Sequence, residues 1–408
     1  MIQTSRLWCI TLLSALAFNA AWLCHAATAW LVIPGVLLLC LLQGPARTLV
    51  WHGVVWGLLV FSFHFHWLLM LQHDSAAGRV ACFVAAALYL TVVTAGWFGV
   101  MSFMRRWWMR VAWLALFWVV IDRWIFLPVG LCEGYPLLSP CVPLARYRWF
   151  LLLLSWLVPA QEDAVSKHLC YVQPVVNRVW HRRQPWAHDP HITARRACQL
   201  MQGHYQPGLT CVSPESGFIF PLNRHPGLVE RLTAKTMGCK ELLVGGPYEK
   251  GGTRYQAVYQ VAEGLIINFY VKKQLVPFAE ALPPLFQHSK LAERMIAKSP
   301  CAVAGGDLGM GAAVLQVAGC RVLPALCWEF FCMQRAAAGQ CQVGAVLAFV
   351  NDSWYNQLFR LWLVLLARLK SQLSGVPVVY IGHYGCYTME PTFCTITPLR
   401  SCYASVHA

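Results

Sequence analysis

Residues 321–331 read Arg-Val-Leu-Pro-Ala-Leu-Cys-Trp-Glu-Phe-Phe. The apolar run from Val322 to Leu326 predicts a strand, and Cys327 and Glu329 follow where that strand ends. A strand that ends in a sharp turn projects its next residue out of the sheet, a position that suits a nucleophile. A cysteine attacks as its thiolate, so it needs a base or a positive charge nearby. We interpret Cys327 as a candidate nucleophile whose role depends on partners elsewhere in the chain.

The cysteines also allow a simpler interpretation, because the chain has 18 of them and most cysteines are small buried apolar residues. The sequence contains no CxxC pair, no HExxH motif and no Cys/His spacing typical of zinc. It also contains no Gly-rich nucleotide-binding loop. We therefore predict neither a metal nor a cofactor.

The composition indicates a membrane protein with a globular part. The chain is 58% hydrophobic and only 12% charged, against about 25% charged residues in a soluble domain. Residues 1–160 are nearly free of Asp, Glu and Lys, which predicts a transmembrane domain at 1–160 and a globular domain at 161–408. The net charge of +15 favours a surface near anionic lipid headgroups. No pattern typical of a nucleic-acid-binding module is present.

About five spans are predicted in the first part, because a span needs roughly 20 apolar residues. They cover 7–25, 27–43, 49–72, 80–104 and 107–128. Arginines fall in alternate loops, which places the N-terminus in the cytoplasm by the positive-inside rule. The apolar segment 149–160 is short for a span, so we predict that it lies in the interface and that the large domain faces the periplasm.

Short β-type runs and amphipathic stretches fill the second part, which predicts an α/β or α+β sandwich. The predicted strands are Leu169–Gln173, Leu209–Ser213, Glu241–Gly245, Tyr255–Val261, Leu265–Tyr270, Val322–Leu326, Ala345–Val350 and Val378–Ile381. The predicted helices cover 191–203, 226–238, 331–340 and 355–374.

Two further charged residues follow predicted strands. Glu215 comes shortly after one strand at a turn fixed by Pro214, and Lys272 follows another, with Glu280 eight residues later. A carboxylate can take the proton of a thiol, and a lysine ammonium can stabilise a tetrahedral oxyanion. Singly, each residue is as typical of a solvated strand end. Together with Cys327 they predict a site for acyl transfer.

These residues resemble the Glu–Lys–Cys triad of the nitrilase superfamily. The motif Tyr-x-Lys-x-x-Leu-Val-Pro-Phe at 270–278, followed by Glu280, is similar to that of the apolipoprotein N-acyltransferase family, as is Asn-Asp-Ser-Trp at 351–354. The resemblance implies that Glu215 is the general base, Lys272 the oxyanion stabiliser and Cys327 the nucleophile. It also implies that Glu280 and Glu329 support the site and that Trp354 contacts substrate.

The same resemblance implies a nitrilase-like αββα sandwich attached to a membrane α-helical bundle. The implied enzyme lies in the bacterial inner membrane, with its catalytic domain facing the periplasm. Its Cys takes an acyl chain from a phospholipid as a thioester and passes it to the N-terminal diacylglyceryl-cysteine of a lipoprotein.

The chain departs from the family pattern at three places. The family usually has Gly where Ala279 stands and Tyr where Trp328 stands, and residues 372–377 lack its acidic and Arg residues. These departures leave open a repurposed relative that acts as a membrane-anchored assembly or conjugative-transfer protein. A carbon–nitrogen hydrolase of small amides would share the triad, but it does not explain the predicted spans.

Overall fold

The computed structural model describes most of the chain. The described residues are 2–23, 46–70, 76–123, 141–145, 147–155, 160–172, 189–192, 195, 208–235, 239–276, 280, 311–332, 343–355, 357–391 and 395–398. They fall into two compact units. The first comprises Met1–Arg146 with Pro277–Cys301, and the second comprises Tyr147–Val276 with Ala302–Ala408. We call them the helical unit and the α/β unit. The division at residue 160 stays a prediction.

Four long helices and one short helix are described in the helical unit: α1 (Ile2–Leu23), α2 (Ala46–Phe65), α3 (Ala76–Ser102), α4 (Trp107–Arg123) and α5 (Cys141–Leu144). A 3-10 helix, His66–Met70, follows α2. Small residues let α2 and α3 approach closely, because a Cβ at Gly53 or Gly57 would lie 3.0 or 3.1 Å from an α3 atom. Trp97 and Trp113 stack with ring centroids 4.1 Å apart and join α3 to α4.

Within the described residues, two helices are long and apolar enough to cross a membrane, at Thr48–Phe65 and Arg79–Ser102. Shorter apolar helices lie at Arg6–Ala20 and Trp107–Val120. The predicted span at 27–43 lies outside the described residues. The count of about five spans therefore stays a prediction.

The first sheet of the α/β unit has the strand order β1-β2-β3-β4-β5. Its strands are β1 (Leu169–Tyr171), β2 (Thr210–Ser213), β3 (Glu241–Lys250), β4 (Thr253–Ala262) and β5 (Leu265–Val271). β1, β2 and β3 are parallel, and β3, β4 and β5 are antiparallel neighbours. β2, β3 and β5 therefore run in the same direction, and their carboxyl ends meet at one edge of the sheet.

The second sheet has the order β11-β10-β9-β8-β7-β6. Its strands are β6 (Leu315–Val317), β7 (Cys320–Leu326), β8 (Ala345–Phe349), β9 (Val378–Gly382), β10 (Gly385–Glu390) and β11 (Thr395–Pro398). β7, β8 and β9 are parallel, so their carboxyl ends also share one edge. The central strand β8 is buried along its whole length, as its unbroken apolar run predicts.

Four layers build the α/β unit. Apolar side chains of both sheets, among them Val212, Leu243, Leu326 and Phe349, form one core between the sheets. Four more helices are described in this unit: α6 (Arg148–Ser155), α7 (Pro226–Lys235), α8 (Trp328–Cys332) and α9 (Gln357–Ser374). Helix α7 covers the outer face of the first sheet, and α9 packs against β9 and β10 of the second, with α6 on α9. The predicted α/β sandwich is confirmed.

All eight predicted strands are present, and β6, β10 and β11 were missed. The predicted helices at 226–238 and 355–374 correspond to α7 and α9. The predicted helix at 331–340 begins earlier, as α8, and its later part lies outside the described residues. The predicted helix at 191–203 lies mostly outside them as well.

Candidate active site

The three predicted catalytic residues lie directly beyond strand ends. Glu215 comes two residues after β2, Lys272 follows β5, and Cys327 follows β7. All three are buried, with 2%, 0% and 1% of their surface exposed. Because β2 and β5 end at the same edge of the first sheet, the fold brings Glu215 and Lys272 together across 57 residues of sequence.

Glu215 and Lys272 form an ion pair. The Lys272 ammonium donates a hydrogen bond to Glu215 Oε1 at 2.9 Å, and neither side chain is accessible. The backbone N–H of Lys272 donates to the Gln256 carbonyl at 2.8 Å, which continues the pairing of β5 with β4 by one residue. This contact fixes the backbone from which the lysine side chain projects. A buried charge pair of this kind can hold a proton acceptor and a positive charge in a site that excludes water.

Cys327 lies in the sharp turn predicted from the sequence. Its φ of +47° is in the left-handed region, which non-glycine residues seldom adopt. Its N–H donates to the Phe349 carbonyl at the end of β8 at 2.7 Å, and α8 begins at the next residue. Strained backbone of this type occurs at functional sites, where the surrounding structure holds it in place.

Glu329 joins the Cys327 turn to the Lys272 segment. Its Oε2 accepts from the Leu326 N–H at 2.9 Å and from the Tyr270 hydroxyl at 3.0 Å. Its Oε1 accepts from the backbone N–H of Lys273 at 2.5 Å and of Gln274 at 3.1 Å. One carboxylate therefore binds the residue before Cys327 and the residue after Lys272, so the two segments lie side by side.

Burial raises the pKa of Glu329, although three backbone N–H groups and the Lys272 charge act in the opposite direction. The same burial, together with the Glu329 charge, raises the pKa of Tyr270. The Tyr270 hydroxyl therefore keeps its proton near neutral pH and donates it to the hydrogen bond with Glu329. Their chemistry suits a role in holding the site together.

The loop that carries Glu215 lies directly on β3. The Gly217 N–H donates to the Pro214 carbonyl at 3.1 Å, and the Phe218 N–H donates to the Gly245 carbonyl at 3.0 Å. A Cβ at Gly245 would lie 2.7 Å from the Glu215 Cα, closer than real side chains come. Only glycine therefore fits at 245. Gly245 was not among the predicted site residues, although a Gly-Gly pair within a strand signals close backbone approach.

Asp352 and His383 support the same loop from the second sheet. His383 Nε2 donates to the Glu215 carbonyl at 2.7 Å. Asp352 Oδ1 accepts from the His383 N–H at 2.6 Å, and its Oδ2 accepts from the Tyr380 hydroxyl at 3.2 Å. Burial raises the pKa of Asp352 to about 7. Burial, the Asp352 carboxylate and then Cys327 raise the pKa of Tyr380, so Tyr380 lies within electrostatic reach of the candidate nucleophile.

The remaining predicted residues have different positions. Trp354 ends a short 3-10 helix, Asp352–Trp354, that follows β8 at the same edge as Cys327. Glu280 is a buried turn residue that belongs to the helical unit. Trp328 is buried and makes an edge contact with the Phe331 ring.

Of the departures from the family pattern at 372–377 and at Ala279, the structure describes only the first. The run 372–377 joins the end of α9 to β9, where Gly375 has a φ of +71° and its N–H donates to the Ser371 carbonyl. That run therefore forms a helix C-terminus of a common type. Ala279 lies outside the described residues.

In the part of the chain that the structure describes, no group of three or more His, Cys, Asp or Glu side chains could hold a metal ion. The reactive groups described at the site are a thiol, a carboxylate, an ammonium and backbone N–H groups.

Comparison with known proteins gives one similarity in sequence and several in structure. No family model matches the chain. It is 28% identical over 189 residues to an apolipoprotein N-acyltransferase of Rhodopseudomonas palustris, covering 42% of this chain and 33% of the relative. The chain thus spans about a third of the length of this curated relative.

Among solved structures, a CN-hydrolase superfamily protein of Xanthomonas campestris aligns with a TM-score of 0.37 and 14% identity, over 52% of this chain and 82% of that one. Nit3 of Saccharomyces cerevisiae, a member of the nitrilase superfamily, aligns with a TM-score of 0.37 and 12% identity, over 55% and 82%. The sequence similarity confirms the resemblance that the motifs around Lys272 and Asn351 indicated: this chain is similar to an apolipoprotein N-acyltransferase over part of its length.

Proposed function

We propose that this protein is a membrane-bound N-acyltransferase of lipoproteins. It takes an acyl chain from a phospholipid onto Cys327 as a thioester and passes it to the N-terminal amine of a diacylglyceryl-cysteine. Residues 1–160 anchor it in a bacterial inner membrane, and residues 161–408 form the catalytic domain on the periplasmic side. Conversion of a lipid ester to a lipid amide requires no metal and no cofactor.

The buried Glu215–Lys272 pair beside the Cys327 turn is the observation that carries this proposal. In the first half-reaction, the Cys327 sulfur attacks the ester carbonyl while Glu215 takes the thiol proton. The proton then goes to the departing lysophospholipid alkoxide as the carbon–oxygen bond breaks. The Lys272 ammonium stabilises the oxyanion and keeps its own proton.

In the second half-reaction, the lipoprotein amine attacks the thioester carbonyl and Glu215 accepts the amine proton. The carbon–sulfur bond breaks, Cys327 leaves as a thiolate, and Glu215 returns the proton to it. Glu329 positions both segments, and Trp354 contacts the substrate. The first half-reaction leaves Glu215 unprotonated and Cys327 acylated, and the second returns Cys327 to the free thiol, so the full cycle is balanced.

The apolar surface of the helical unit supports the proposal that the substrates are lipids. Its helices expose large apolar side chains, including Leu13 at 55%, Trp51 at 63% and Val92 at 69%. Apolar side chains exposed along helices of this length and hydropathy suit contact with acyl chains, since soluble proteins keep large apolar patches small. Both proposed substrates are lipids, and a membrane domain gives them access to the site.

The proposal is tested by complementation of a strain depleted of its own N-acyltransferase. We expect the wild-type protein to restore growth and Cys327→Ala to fail. The matched control is Cys320→Ala, which alters a cysteine at the opposite end of β7 and should restore growth as the wild type does. Equal rescue by Cys327→Ala would remove this residue from the mechanism. Failure of the wild type at normal membrane levels would favour the assembly role.

The chemical step has its own test. Intact-mass analysis after incubation with phospholipid should show one added acyl group on the wild type and none on Cys327→Ala. Hydroxylamine should remove the group, because it cleaves thioesters. Absence of the adduct on the folded wild type would overturn the two-step mechanism. A reporter fused after residue 170 tests the orientation and should give a periplasmic signal.

A further inference from the structure

Two cysteines outside the candidate active site face each other under α7. Cys211 lies on β2, and Cys239 lies two residues before β3. Their sulfur atoms are 2.8 Å apart, and both residues are free thiols. This separation is shorter than two unbonded sulfur atoms normally keep. A small movement of either side chain would therefore bring the pair to the length of a covalent S–S bond, about 2.05 Å.

The two thiols differ in access and in acidity. Cys211 is buried in the apolar cluster of the first sheet, whereas Cys239 is only partly buried at its margin. The hydrogen bond from Cys211 lowers the pKa of Cys239, and the same bond and burial raise the pKa of Cys211. Cys239 is thus the thiol that ionises first and that a reagent reaches first.

A cavity of about 400 Å³ leads to Cys239. Glu230 and Thr233 of α7 line one side, and Lys240, Glu241 and Gly264 line another. A small disulfide molecule fits a space of this volume. Its acidic lining (Glu230, Glu241 and Glu263 against Lys240) favours a molecule with positive charge.

We propose that Cys211 and Cys239 are a reversible disulfide site that is oxidised by thiol–disulfide exchange with a small disulfide. The Cys239 thiolate attacks one sulfur of the reagent and releases a thiol, which leaves a mixed disulfide on Cys239. Cys211 then loses its proton and attacks the Cys239 sulfur, which releases the second thiol. Two electrons pass from the cysteine pair to the reagent, and one S–S bond replaces another.

The location gives this bond a structural consequence. It would close a loop from Cys211 to Cys239 that contains Glu215 and α7, and it would join β2 to the start of β3. The neighbouring strand contributes Cys170, which pairs in register with Cys211 and is disulfide-bonded.

The experiment uses the purified full-length protein in detergent, with cystamine as the small cationic disulfide. After treatment, free thiols are alkylated and the peptides are mapped. We expect a crosslink between the Cys211 and Cys239 peptides and an unfolding midpoint raised by about 5 °C or more, because the bond restricts the unfolded chain. Dithiothreitol should reverse both changes.

Two single variants separate the steps. Cys211→Ser should stop at a cysteamine adduct on Cys239, and Cys239→Ser should give neither the adduct nor the crosslink. Cys320→Ser should behave as the wild type does. The proposal is overturned if the folded wild type is modified at Cys239 without a crosslink, or if Cys211 pairs with Cys170 instead. These readouts do not involve acyl transfer, so they hold or fail independently of the proposed function.

Discussion

Two regions of the α/β unit place a buried carboxylate beside the Lys272 segment, and they use it differently. Glu215 faces the lysine ammonium at 2.9 Å, so its partner is another side-chain charge. Glu329 faces three backbone N–H groups and the Tyr270 hydroxyl, so its partners are fixed dipoles. The first arrangement suits a group that exchanges a proton, and the second suits a group that holds two chain segments in place.

The two carboxylates suit different roles because protonation has different consequences for their partners. A carboxylate that is paired with an ammonium can accept a proton while the positive charge remains to stabilise a developing oxyanion. Protonation of a carboxylate that accepts several backbone N–H bonds turns part of an acceptor into a donor and leaves a backbone N–H without its partner. We therefore propose that Glu215 exchanges the proton and that Glu329 positions the two chain segments.

The largest effect is expected from breaking the Glu215–Lys272 pair. Glu215→Gln removes the proton acceptor, so acyl transfer should fall by about 10²–10⁴-fold. It also leaves the Lys272 charge buried without its carboxylate, which should cost about 3–5 kcal/mol of stability. Thioester formation and the unfolding midpoint measure the two effects separately.

The double variant Glu215→Gln/Lys272→Met distinguishes charge pairing from catalysis. Replacing both charges removes the unpaired ammonium, so most of the lost stability should return while activity stays low. If the double variant regained activity, Glu215 would not be the base. If it were no more stable than Glu215→Gln, the ion pair would not be what the single substitution disrupts.

A smaller effect is expected at Glu329. Glu329→Gln places an amide where two oxygens accept four hydrogen bonds, and at least one backbone donor loses its partner. We expect a loss of about 2–4 kcal/mol in stability and a fall in activity of about 10–100-fold through misplacement of Cys327. Circular dichroism during thermal unfolding and the rate of thioester formation measure these changes.

Glu249→Gln is the matched control for Glu329→Gln. Glu249 bonds Arg224 at 3.0 Å, with 34% and 52% of the two side chains exposed. An exposed pair contributes only about 0–1 kcal/mol, so its loss should be hardly measurable. A large effect of Glu249→Gln, or none of Glu329→Gln, would contradict the assignment of positioning to Glu329.

Local sequence pattern was enough for eight of the eleven described strands and for the turn at Cys327. Each predicted strand is a short apolar run, and the β7 run leads straight into a turn, so burial and turn chemistry point to the same result. The pairing of Glu215 with Lys272 was expected only because both follow strands. The sheet order that brings them together is a non-local property.

The supporting residues could not be predicted for the same reason. His383 contacts the Glu215 carbonyl across 168 residues of sequence, and Gly245 is required by a loop on a neighbouring strand. Neither requirement has a local signature strong enough to reveal its partner. The short strands β6, β10 and β11 were missed because each depends on its neighbour for pairing more than on its own apolar pattern.

A further buried carboxylate, Asp352, extends the comparison to the effect of pH on stability. Burial raises its pKa from 3.8 to about 7 in the folded protein. Between these values the folded state keeps a proton that the unfolded state has lost, so this residue lowers stability as pH rises from about 4 to about 7. The slope is at most about 1.4 kcal/mol per pH unit, and it vanishes outside that window.

Asp352→Asn removes this titration and keeps one oxygen to accept the His383 N–H. Unfolding midpoints measured from pH 4 to pH 8 should therefore show the variant gaining stability relative to the wild type as pH rises, with no further gain above about pH 7. Glu329, whose pKa is raised by burial as well, titrates in both proteins and cancels in the difference. Parallel curves for the two proteins would mean that Asp352 stays ionised in the fold. Asp352 would then hold the His383 turn as a charged acceptor, in the way that Glu329 holds the Lys272 segment.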